Sequence, residues 1–159
     1  MANEKTINSI ADVPLFQQVS AKSLERLTSI ARIHRFGPDQ ILFREGDASS
    51  KFYVIRTGRI ALEINAPGRA LHVRTAGPGD EVGWSALLPG RGKQLQAHSL
   101  DEVEAFAFEG AELLKLCQED PTFGFELMHH LLGLVADRLE ATRVQLSDYY
   151  SPDAKRAGE

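Results

Sequence analysis

Hydrophobic positions fall into three textures along the 159-residue chain. After a mixed stretch in which Pro14-Leu15-Phe16 is placed to tuck an aromatic under the domain, Ser20 offers an N-cap. Leu24, Leu27 and Ala31 follow at helical spacing, predicting a helix of about ten residues. From residue 33 the clusters become short and rich in β-branched and aromatic residues: Ile33–Phe36, Ile41–Phe43, Phe52–Ile55 and Ile60–Ile64. They are separated by Gly37-Pro38-Asp39, Glu45-Gly46-Asp47, Thr57-Gly58 and Ala66-Pro67-Gly68, each a turn signal. Leu71–Thr75, Gln94–Leu100 and Val103–Phe108 continue the series, and so many short strands predict a barrel or jelly roll. Helical spacing returns at Ala111–Gln118. Asp120-Pro121 then combines an N-cap with proline at the first helical position and opens a helix running to about Tyr149.

Composition narrows the classes. The chain is 43% hydrophobic and 25% charged with a net charge of −4, ordinary for one globular domain and unlike a general binder of nucleic acid or membrane surface. Cys117 is the only cysteine, so neither a disulfide within the chain nor a cysteine-based metal cluster is expected. No apolar run approaches the roughly 18 residues of a membrane span. The opening Met-Ala-Asn-Glu-Lys lacks a secretory pattern, so the expectation is a cytoplasmic protein with no membrane contact.

The chemistry concentrates in residues 77–98. Five glycines (Gly77, Gly79, Gly83, Gly90, Gly92) and two cations (Arg91, Lys93) lie there between strand-like runs, the composition of a loop whose backbone amides converge on an anion.

The order of these signals resembles the cyclic nucleotide-binding domain, the β-roll of the bacterial catabolite activator and FNR regulators and of the regulatory subunits of cyclic-nucleotide-dependent kinases. The resemblance rests on Phe36–Asp47, on Phe52–Ile60 and on Gly77-Pro78-Gly79-Asp80-Glu81-Val82-Gly83, and it covers roughly residues 13–150. It implies a mainly β, α+β fold: a jelly-roll-like β-roll over about 33–108, flanked by an N-terminal helix and two C-terminal helices, the long one at about 121–149. Residues 1–12 are then an N-terminal extension and 151–159 a polar tail.

In that family a short helix begins Gly-Glu-Leu, and an Arg-Ser or Arg-Thr opens the following strand. Helix amides and the Arg hold the cyclic phosphate, and the Glu accepts the ribose hydroxyl. This sequence keeps Gly83 but has Trp84 at the Glu position, and an indole N–H only donates. Lys93 falls at the Arg position and Gln94 at the Ser/Thr position, with Arg91 as a second candidate cation; lysine lacks the bidentate fork. Ser85 offers a hydroxyl, and the amides of Ser85, Ala86 and Leu87 are candidates to face an anion. The structural alternative is that Trp84, Leu87 and Leu88 simply fill the pocket. The implied ligand is therefore a small anion in an altered cassette, with cAMP or cGMP bound weakly or not at all.

On the last helix, Phe125, Met128, Leu132, Val135, Leu139, Thr142, Leu146 and Tyr149 recur at alternating spacings of 3 and 4, a heptad seam. Leu127, Leu131 and Leu134 form a second stripe ending in Arg138. One stripe suits the barrel and the other a partner helix, as in the family's dimeric regulators; a single broad face on the barrel is the alternative. Thr142 also falls where the activators place the first of a Thr-Ser pair against the purine, with Arg143 at the second position.

No Ser/His/Asp order stands out, and the adjacent His129 and His130 point apart on a helix, so neither a catalytic centre nor a metal site nor a bound cofactor is expected. The chain reads as a non-enzymatic regulatory module, a homodimer through the long helix. Two alternatives are carried with it: a ligand-free module that docks on an unidentified partner protein, and a true cAMP sensor acting through such a partner. No helix-turn-helix pattern follows the long helix, so direct DNA binding is not expected.

Overall fold

In a computed structural model, residues 6–150 are described; the predicted tail at 151–159 and residues 1–5 lie outside them. Helix α1 spans Ala21–Ile30, and Ser20 caps it by accepting the amide of Ser23. Eight strands follow: β1 (Arg32–Phe36), β2 (Ile41–Phe43), β3 (Lys51–Thr57), β4 (Ile60–Ala66), β5 (Arg69–Ala76), β6 (Glu81–Val82), β7 (Gln96–Ser99) and β8 (Val103–Glu109). Helices α2 (Gly110–Glu119) and α3 (Pro121–Tyr149) complete the described residues. The strands form two antiparallel four-stranded sheets, β1-β8-β3-β6 and β2-β7-β4-β5, the expected roll between helices.

Strands β3 and β8 are buried on both faces, which is why their sequences read as continuous apolar runs. Tyr53, Ile55, Val103, Ala105 and Ala107 point into the roll; Phe52, Val54, Phe106 and Phe108 point at the helices. The roll interior takes alanines from β8 because two curved sheets leave little room. The larger space under the helices takes Phe16, Phe52 and Phe108. Phe16 is tucked in as its position in the sequence suggests. The packing also takes in Ile7 and Ile10, upstream of the boundary drawn at residue 13: both are buried, and the Ile7 amide donates to the Arg56 carbonyl.

Two differences bear on the site. Strand β6 is absent from the sequence pattern, because a two-residue strand inside a glycine-rich turn has no periodicity to detect. The strand expected from Gln94 begins at Gln96, so Lys93 and Gln94 belong to a loop. At the start of α3, Asp120 accepts the Phe123 amide and the Ser23 hydroxyl, tying the α1 and α3 N-termini together.

Candidate ligand-binding site

The cassette is built from β6 outward. Val54 and Tyr53 of β3 pair with Glu81 and Val82. Gly83 turns the chain with φ +84°, and Trp84–Leu87 follows as one turn of 3-10 helix. Glycine is required at 83 twice over. The left-handed φ disfavours a side chain, and a Cβ would lie 2.7 Å from both the Lys51 carbonyl oxygen and the Lys93 amine. The turn thus makes room for a lysine.

The loop after it is tied back by a reciprocal backbone pair. Gly46 N–H donates to the Lys93 carbonyl and Lys93 N–H to that of Asp47, each at 2.9 Å. This pairing separates the two candidate cations by depth. Lys93 is drawn inward to 5% exposure, while Arg91 stays exposed and outside the cavity, so Arg91 is corrected to a surface residue. Lys93 Nζ donates to the Lys51 carbonyl at 3.0 Å and sits 4.4 Å from the centre of the Phe43 ring. It makes no ion pair among the described residues.

Burial pulls the Lys93 amine from 10.5 down to about 8, with Asp47 partly opposing. Since the unfolded chain binds this proton more tightly between pH 8 and 10.5, Lys93 costs stability below pH 8, and the cost is relieved as the pH rises to 10.5. The difference corresponds to about 3 kcal/mol at most. Lys93→Met, which forfeits the hydrogen bond to Lys51, is expected to stabilise the protein by about 1–2 kcal/mol at pH 7. That gain should disappear near pH 10.5. Urea unfolding at the two pH values checks both; a variant less stable at pH 7 would show that the charge is already compensated.

The cavity above Lys93 measures about 350 Å³, toward the small end of the roughly 300–1,000 Å³ usual for small-molecule sites. The roll supplies Phe43, Leu62, Val73, Val82 and Leu95, and α3 closes the other side with Arg138, Ala141, Thr142 and Gln145. Trp84 lines the cavity while also packing against the core under the helices. Ser85 lines it too, with its buried hydroxyl 2.6 Å from that of Ser49. Gln94 reaches the rim and donates back to the Gly92 carbonyl at 3.2 Å.

Ala86 and Leu87 do not line the cavity: both turn into the core under the helices, and the Ala86 amide donates to the Gly83 carbonyl at 3.0 Å. A 3-10 turn satisfies that amide internally, which corrects the expectation that it faces a ligand. Thr142 lies on the wall, with its hydroxyl donating to the Arg138 carbonyl at 2.9 Å, while Arg143 is exposed and pairs with Glu140.

Three charged residues of the cavity were not among the site candidates drawn from the sequence. Glu81 is 4% exposed and its carboxylate meets the Arg138 guanidinium across the gap between β6 and α3. Arg74 of β5 donates to the Glu81 carbonyl at 3.2 Å. Burial lowers the proton affinity of both arginines. For Arg138 it reaches about 10, burial acting first and the Arg74 charge second, against Asp80. One signal was available: Arg138 interrupts an apolar stripe four residues after Leu134. Its partner, 57 positions away, was not. Lys93, Arg74 and Arg138 against Glu81 leave the cavity with two surplus positive charges, on a chain of net charge −4.

His129 and His130 lie apart from this cavity, His130 with Nδ1 3.1 Å from the Leu15 carbonyl oxygen, and no metal-binding cluster occurs among the described residues. None of the described helices is long and apolar enough to cross a membrane.

A two-sheet roll closed by a long helix, with a cavity at their junction, defines the domain class. The family model described as "Cyclic nucleotide-binding domain" matches residues 33–120, and the chain belongs to that family. It is 26% identical over 145 residues to a CRP-like cAMP-activated global transcriptional regulator of Mycobacterium tuberculosis. That match takes in 91% of this chain but only 63% of the regulator's length. Among solved structures, a cyclic nucleotide-binding domain from Methylobacillus flagellatus superposes with a TM-score of 0.76 at 18% identity, over 87% of this chain and 79% of that one. The Thermus thermophilus catabolite activator protein superposes with a TM-score of 0.72 at 22% identity, over 84% and 62%. These two likenesses concern the fold.

Proposed function

We propose that this regulatory module senses a small anionic ligand held between its altered cassette and α3, with cAMP and cGMP bound weakly or not at all. The observation that carries the reading is Lys93: a buried ammonium without an ion-pair partner, at a cavity with surplus positive charge, is stabilised when an anion enters. The M. tuberculosis relative is a cAMP-activated regulator, but here Trp84 cannot supply the acceptor that a ribose hydroxyl requires. Because α3 forms one wall, a ligand there touches roll and helix together and can bias their packing.

Thermal shift in phosphate or sulfate against chloride, beside calorimetry with cAMP and cGMP, tests this. The wild type should gain stability in the oxyanions while Lys93→Met does not, and the cyclic nucleotides should bind no tighter than about 100 μM. Submicromolar cAMP binding would make the protein a true cAMP sensor. Indifference to every anion would favour a ligand-free docking module.

The heptad seam supports a second element of the reading, pairing of two copies. Phe125, Leu132 and Leu139 are 68%, 67% and 70% exposed, whereas Leu127 and Leu131 are buried against the core. The two stripes thus divide their roles, and the exposed one keeps coiled-coil spacing. Sedimentation equilibrium should give twice the 17.5 kDa chain mass for the wild type and the single mass for Leu139→Asp. A monomeric wild type would count against pairing.

A further inference from the structure

The cavity lining sorts by hydrogen-bonding sense, and the sorting is lopsided. Its one charged acceptor is engaged within the protein, the Glu81 carboxylate on Arg138, and the Ser85 hydroxyl is shared with Ser49. The acceptors left are neutral: the Thr142 hydroxyl oxygen, whose proton goes to the Arg138 carbonyl, and the side-chain amide oxygens of Gln94 and Gln145. Donors are in surplus. The Lys93 ammonium carries three N–H groups and uses one on Lys51, and the Arg74 guanidinium carries five and uses one on the Glu81 carbonyl. Most of the remaining wall is hydrocarbon and indole, from Phe43, Leu62, Val73, Val82, Trp84 and Leu95.

A ligand complementary to such a wall accepts hydrogen bonds at one charged end and presents apolar surface elsewhere. A nucleotide matches less well, since its ribose hydroxyl must donate and meets the Trp84 indole, which offers no acceptor, in place of a carboxylate. We infer that the cavity takes an organic monocarboxylate with a short hydrocarbon body, its carboxylate on Lys93 and Arg74 and its body along Phe43, Leu62 and Trp84. This rests on reading the cavity as an anion site, and it narrows the ligand to an amphipathic monoanion.

Trp84 is the only tryptophan and lines the cavity, so its emission reports occupancy directly. The full chain is titrated with butanoate, hexanoate and octanoate below micelle formation, and separately with octanol, inorganic phosphate and cAMP. A saturable change is expected with octanoate. The affinity should tighten about fourfold per methylene along the carboxylate series, the transfer value of a buried CH₂. Octanol, lacking the charge, should bind at least about tenfold more weakly. Lys93→Met, or Arg74→Gln if the first variant folds poorly, should weaken octanoate by a similar factor and leave octanol unchanged.

Octanol binding as tightly as octanoate, or octanoate unaffected by both substitutions, would overturn the inference. If phosphate or cAMP saturates the signal and octanoate does not, the inference falls while the anion site stands. If none of these anions perturbs Trp84, both fall together.

Discussion

Glu81→Ala is expected to lower the unfolding free energy by about 3 kcal/mol and to loosen α3 from the roll. The Glu81 side chain is almost wholly buried, its carboxylate pairs with the Arg138 guanidinium, and its backbone carbonyl accepts from Arg74, with Asp80 acting on both arginines from farther off. Without it, Arg138 keeps its burial and its repulsion from Arg74, the two effects that already lower its proton affinity, and loses its partner. Removing one member of such a pair costs more than removing both. Glu81→Met with Arg138→Met should therefore recover most of the loss by replacing a desolvated pair with apolar contact. Urea unfolding of the two single variants and the double variant gives the coupling. Hydrogen exchange along residues 138–149 should show α3 opening more readily in Glu81→Ala. A single variant as stable as the wild type would mean that water already screens the pair.

Gly110→Ala should cost a comparable amount, about 3 kcal/mol, by a different route. Gly110 opens α2 directly beneath the cassette, its amide donating to the Ser50 carbonyl at 2.8 Å. A Cβ there would overlap the Ala86 carbonyl oxygen and lie 2.8 Å from its carbon, so the obstacle is backbone and cannot rotate away. Either α2 or the Trp84–Leu87 turn must move, and the displacement should appear as a change in Trp84 emission together with the lost stability. Gly133→Ala is the matched control. It lies within α3 with nothing within 4 Å of a Cβ, and should add about 0.5–1 kcal/mol through helix propensity. Equal effects at the two glycines would show that α2 does not buttress the cassette.

These two sites mark different degrees of legibility in the chain. Gly110 was assigned to no element boundary in the sequence, because its need for a missing side chain arises from Ala86, 24 positions away and on another element. Trp84 was legible as a departure from the family's pattern, but not its position, both on the cavity wall and against the core. Lys93 stood first and Arg91 second in the sequence, two cations in one glycine-rich loop whose register the sequence leaves open. The backbone pairing of Lys93 with Gly46 and Asp47 separates them by burying one.

What the chain determined alone is whatever local physics enforces. Ser20 and Asp120-Pro121 set helix starts, the turn glycines set strand ends, and the 3–4 spacing of α3 marks two stripes, since each acts within a few residues of backbone. What only the tertiary structure decided is the chemistry of the cavity. Glu81 with Arg138, Arg74 with Glu81, and Lys93 with Lys51 and Phe43 are meetings across strands and helices. Sheet register and the path of α3 bring such residues together, and depth below the surface, not order along the chain, sets their charge.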